Sequence, residues 1–135
     1  MKALLDTNVV FAVLLDRAPF ADAADEIFAQ VEAGALHGLL CATTVTTIDY
    51  LLTNALDRKR ARRHVKQLLA LFEVAAVTRH TLDAAVNSRL PDFEDAVLAH
   101  AALAAGCDII IPRNGKDFSG RGLPVLISFE YLASL

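Results

Sequence analysis

The chain opens with Lys2-Ala3-Leu4-Leu5, apolar after its first residue, and runs straight into Asp6. A short apolar run of this kind reads as a buried strand. From Thr7 onward the spacing changes, and Phe11, Leu14 and Leu15 recur at helical intervals. Residues 16–20, with Pro19, predict a loop, and Ala21 to Ala33 predict a helix with Ala24, Ile27, Phe28 and Val31 on one face and Gly34 as its stop. Leu36 to Ala42 reads as a strand. Thr43 or Thr44 is placed to cap a helix running to about Ala55, with Val45, Ile48, Leu51 and Leu52 inward. Asp57 suits the cap of the next helix, where basic residues alternate with Ala61, Val65, Leu68 and Leu69.

The second half continues the alternation. Phe72 to Val77 is β-branched and apolar enough for a strand, a helix is expected from about Thr81 to Ser88, and Leu90-Pro91 breaks the chain. Asp92 to Ala105 predicts a long helix ended by Gly106. Asp108 to Ile111 and Pro124 to Ile127 predict the last two strands, and Ser128 is placed to cap a terminal helix ending at Leu135. Strands and helices at these spacings predict an α/β fold: a single domain over residues 1–135, three layers (α/β/α), a central parallel five-stranded sheet and about seven helices.

Composition narrows the class. Hydrophobic residues make up 55% and charged residues 21% of the chain, too apolar for a disordered protein. No stretch approaches the roughly 20 consecutive apolar residues of a membrane helix, and the start, with Lys2 followed at once by Asp6, does not resemble a secretory signal. Cys41 and Cys107 are isolated, with neither CxxC nor zinc spacing, which predicts two reduced thiols in a cytoplasmic protein. The net charge of −3 conceals an asymmetry. Arg58, Lys59, Arg60, Arg62, Arg63 and Lys66 form one basic block, and Arg58, Arg62 and Lys66 share a stripe at i, i+4 and i+8. Such a block is either a solvated face or a surface for nucleic-acid phosphates.

The acids carry the chemistry. Asp6 stands at a strand tip, where open α/β sheets bind their ligands; there a carboxylate either holds a cation or caps the following helix. Asp49 borders the apolar stripe of the helix after Thr44, with Thr46 three positions before it. Asp92 and Asp95 have the spacing of a helix cap, which also suits a metal site fixed on a first helical turn. The loop Pro112-Arg113-Asn114-Gly115-Lys116-Asp117-Phe118 leaves the sheet on the edge of Asp6 if the two strands are parallel. Each segment alone is open to a structural reading. Together they deliver several carboxylates to one edge, and carboxylates in such company need a cation; hard oxygen ligands suit Mg²⁺ or Mn²⁺. His37, His64, His80 and His100 show no metal spacing.

LLDTNVV, ATTVTTIDYLL, DFEDAVLAHAALAAGCDIII and RNGKDF, in this order and spacing, resemble the PIN-domain family and within it the VapC-type toxins of bacterial toxin–antitoxin pairs. The resemblance covers nearly the whole chain. It implies a metal-dependent endoribonuclease, with RNA as substrate, a cognate antitoxin as partner, and a homodimer. Carried over by position, Asp6, Asp49 and Asp95 are the family acids, with Asp117 or Asn114 completing the site, Asp92 as an additional carboxylate near the metal, and Asn8 and Thr46 as supporting hydrogen-bonding residues. Asp49 stands where the family usually has Glu, Asn114 where it has an acid, and Pro112 where it often has Thr. The alternative implied by these departures is a PIN fold that binds RNA or a partner and cuts poorly. A phosphatase that also starts from a strand-tip Asp wants a second Asp two residues on, and Asn8 stands there.

Overall fold

The computed structural model describes residues 1–15, 21–112 and 125–126. At its centre lies β1 (Lys2–Leu5), paired in parallel with β2 (His37–Cys41) on one side and β4 (Ile109–Ile111) on the other. β3 (Glu73–Ala75) pairs outside β2, and β5 (Val125–Leu126) outside β4, so the order is β3-β2-β1-β4-β5. The chain winds outward from β1 through β2 to β3, then returns to the other side of β1. The crevice between the ends of β1 and β4 is therefore the topological switch point, where α/β sheets bind ligands.

Alternate strand residues enter opposite layers. Ala3, Leu5, Leu40, Ile109 and Ile111 pack with α1 (Thr7–Leu14), α2 (Ala21–Glu32), α3 (Ala42–Ala55) and α4 (Arg58–Leu71). Leu4, Leu39, Cys41 and Ile110 face α5 (Arg79–Val86) and α6 (Phe93–Ala104). Two-sided burial explains why these strands read as apolar runs instead of alternating ones. The three layers and five parallel strands are those the sequence predicts. Six helices lie among the described residues. The predicted terminal helix from Ser128, the loop at 16–20 and the Asn114–Asp117 segment fall outside them. No described helix is long and apolar enough to cross a membrane.

Several boundaries differ, each for a local reason. α3 begins at Ala42, with Cys41 at the N-cap, so neither Thr43 nor Thr44 caps it. The hydroxyl of Thr44 is instead buried against that of Thr7, 2.8 Å away. β3 is shorter than Phe72 to Val77 because Phe72 turns into the core, its ring edge-on to Phe28 at 5.2 Å. α5 starts two residues early, where Thr78 and Thr81 form a capping box. Leu69, expected inward, is exposed. Asp57 caps α4 as predicted, accepting from the Arg60 amide at 2.8 Å. Gly34 and Gly106 end α2 and α6 with φ of 77° and 73°, in the left-handed region glycine tolerates.

Gly38 matters for space. A Cβ there would stand 2.7 Å from the Phe72 ring and 3.0 Å from the Val31 side chain. Since Phe72 is itself wedged against Phe28, Gly38→Ala is expected to cost about 1–3 kcal/mol through overpacking, measurable by urea denaturation. A variant as stable as the parent would show that the α2–β2 contact yields.

Candidate metal and nucleic-acid site

Asp6 follows β1 directly. Its backbone N–H donates to the Ile111 carbonyl at 3.0 Å, which holds it against the end of β4 at the switch point. Its carbonyl accepts from Val9 and Val10, so Asp6 occupies the N-cap of α1. Its side chain nevertheless makes no capping hydrogen bond, although the residue is only 4% exposed. A buried carboxylate at an N-cap that leaves the first-turn amides alone is aimed elsewhere, which argues against the cap reading of Asp6. Beside it, Thr7 and Thr44 form the buried hydroxyl pair that joins the starts of α1 and α3. That pair was not among the sequence candidates; its signal was the adjacency of Thr7 to Asp6.

Because α6 precedes β4 and runs back against it, the N-terminal end of α6 lies toward the same sheet edge. Asp92 is its N-cap, its carboxylate accepting from the Asp95 amide at 2.9 Å. The cap is thus realised on Asp92, and it fixes the first turn that carries the half-buried Asp95. Both acids stand at the N-terminus of α6, Asp92 at its N-cap and Asp95 in its first turn.

The remaining candidates are placed differently. Asp49 lies about 140° around α3 from Thr44 and about 7.5 Å farther along its axis. Its carboxylate accepts from the Arg62 guanidinium of α4 at 3.1 Å. Among the described residues, no group of three or more His, Cys, Asp or Glu side chains stands together so as to hold a metal ion. Thr46 is exposed, and its hydroxyl donates to the Thr43 carbonyl at 2.9 Å. Asn8 is exposed on the first turn of α1. Asn114 and Asp117 lie outside the described residues. On α4, Arg58, Arg62 and Lys66 are all exposed.

Both cysteines are free and buried. Burial pushes the Cys107 thiol up from its ordinary value against the opposing pull of Lys2, so it stays protonated at neutral pH and is a poor nucleophile. His37 pairs with Glu73 at 3.1 Å on the surface. His64 is half-buried, and its Nδ1 is buried without a hydrogen-bond partner. It faces a cleft of about 390 Å³ also lined by Val13, Leu14, Phe28, Leu68 and Leu71.

With this geometry in view, comparison with known proteins defines the class. The PIN-domain family model matches residues 2–116, and the chain belongs to that family. No curated protein matches the sequence significantly. Among solved structures, the fold is similar to VapBC2 of Rickettsia felis bound to a DNA fragment from its promoter (TM-score 0.75, 14% identity, 95% of this chain and 98% of that one). It is also similar to a toxin–antitoxin complex from Klebsiella pneumoniae (0.70, 20%, 94% and 97%). DNA-bound VapBC from Salmonella typhimurium is a third (0.71, 16%, 96% and 98%).

Proposed function

We propose that the protein is a metal-dependent endoribonuclease, the toxin of a toxin–antitoxin pair, working in the cytoplasm. One observation carries the nuclease reading: the buried carboxylate of Asp6, which does not cap α1, at the switch point of a PIN fold. Asp6 and Asp95 would hold Mg²⁺ or Mn²⁺, whose hard-ion chemistry fits carboxylate oxygens, with Asp92 nearby and Asp117 or Asn114 completing the set. When bound, the cation supplies the positive charge that activates an attacking water and offsets charge building on the phosphodiester. The chain's own part is placement. Asp6 is held by its amide bond to Ile111, Asp95 by the Asp92 cap, and the Thr7–Thr44 pair keeps α3 and α1 in register beside them. Cleavage of RNA by purified protein in Mn²⁺, abolished by EDTA and by Asp6→Asn, tests the proposal.

The antitoxin reading draws support from the cleft between α1, α2 and α4, largely apolar in its lining and bordered by Glu32, Gln67 and the unpartnered Nδ1 of His64. An apolar helix with one polar side chain fits such a groove. Co-sedimentation with the product of a short adjoining reading frame is expected to give a complex. Leu71→Glu should weaken it by more than about tenfold by placing an unpaired charge in the cleft, with helix content unchanged. A complex insensitive to Leu71→Glu would put the partner elsewhere. The same run reports the mass of the free protein. A homodimer is proposed, supported by the exposed apolar Leu82, Val86 and Phe93 on α5 and the start of α6.

The second reading, a PIN fold that binds RNA or a partner and cuts poorly, is favoured by one observation: Asp49 is engaged by Arg62. Absent Mn²⁺ binding alongside intact RNA binding would select it.

A further inference from the structure

Helix α4 carries six cations between Arg58 and Lys66 and no acid of its own. Two of the six already have counter-ions. Arg60 pairs with Asp57 at 3.4 Å, and Arg62 reaches across to Asp49 on α3 at 3.1 Å. Arg58, Lys59, Arg63 and Lys66 are exposed and have no ion pair or side-chain hydrogen bond among the described residues. At about 100° per residue these four fall within about 140° of arc, while the buried Ala61 and Leu68 point to the other side of the helix. By position Arg62 belongs to the same arc, but its guanidinium is turned onto α3.

We infer that α4 is an RNA-backbone contact surface formed by Arg58, Lys59, Arg63 and Lys66, from which Asp49 withholds Arg62. The surface differs from the Arg58–Arg62–Lys66 stripe that helical spacing suggests. That the polyanion is RNA rests on the nuclease reading above. The physical distinction is counter-ion release. A cation without a protein partner gives up condensed counter-ions when it meets a phosphate, and each such contact steepens the salt dependence of binding. A guanidinium neutralised by its own carboxylate must first break that pair, so it contributes little. Asp49 thus acts on Arg62 across the packing of α3 on α4.

The test uses the full chain, a fluorescent oligouridylate of about twenty nucleotides, EDTA to prevent cleavage, and anisotropy titrations across a salt series. Four phosphate contacts to a single strand predict a log–log salt slope of about −2.8. Lys59→Gln/Arg63→Gln should flatten it by about 1.4 and weaken low-salt binding on the order of tenfold, whereas Arg62→Gln should change the slope by less than about 0.3. Asp49→Asn should do the opposite of damage. It frees Arg62, tightens binding about threefold and steepens the slope by about 0.7, and the gain should vanish in Asp49→Asn/Arg62→Gln. The inference is overturned if Arg62→Gln flattens the slope by as much as half the effect of Lys59→Gln/Arg63→Gln, if Asp49→Asn weakens RNA binding, or if the parent shows no salt-dependent RNA binding. The nuclease reading fails separately: a parent with these slopes that neither binds Mn²⁺ nor cuts RNA keeps the α4 surface and loses the catalysis.

Discussion

Asp6→Asn is expected to lower Mn²⁺-dependent RNA cleavage by roughly a hundredfold or more while leaving the protein folded. Asparagine is the informative replacement because it caps helices as well as aspartate does. If Asp6 served α1 as a cap, Asp6→Asn would be silent. If it holds a cation, loss of the negative charge removes the ligand whatever happens to the shape. The same variant should weaken Mn²⁺ binding measured directly, so a lost metal site is distinguished from a misfolded enzyme. Asp95→Asn is expected to behave alike, since Asp95 stands in the first turn of α6 with its amide already satisfied by Asp92. Asp57→Asn, which alters the cap of α4 instead, is the control for charge loss at a helix start. Cleavage that survives both Asp6→Asn and Asp95→Asn, or survives EDTA, would end the metal mechanism.

Leu40→Ala is expected to have the largest effect on stability. Leu40 is fully buried in β2 and belongs to the cluster that joins β1 and β4 to the four helices of one layer. Truncation removes buried methyl groups and leaves a cavity walled by a parallel sheet that cannot collapse into it. The expected cost is about 2–5 kcal/mol, a large share of the roughly 5–15 kcal/mol that keeps a domain folded. For a chain of this size it should lower the melting temperature by on the order of 10 °C. Val74→Ala offers the contrast, because Val74 lies on the edge strand β3 and is 45% exposed. Equal losses from the two substitutions would contradict the layered core.

The uneven legibility of the chain has physical causes. β1 and α1 can be read because a fully apolar run gives way within one residue to helical spacing, and that change of period also locates Asp6. α2 and α6 can be read because their apolar faces are broad and Gly34 and Gly106 stop them at positive φ. The start of α3 cannot, since threonine caps helices as readily as it buries a hydroxyl; only the approach of Thr7 decides that Thr44 does the second. The end of Phe72 likewise depends on a partner, Phe28, that lies far away in sequence.

By itself the sequence determined the layer order, the parallel sheet, the site of Asp6 at a strand tip and the Asp92 cap beneath Asp95. These depend on periodicity and on groups within a few residues of one another, so local chemistry suffices. Only the tertiary structure decided which carboxylates have other commitments. Asp49 and Arg62 are thirteen positions apart on different helices. Both sit at polar positions that periodicity treats as equivalent to any other exposed site. Their pairing arises from how α3 packs on α4.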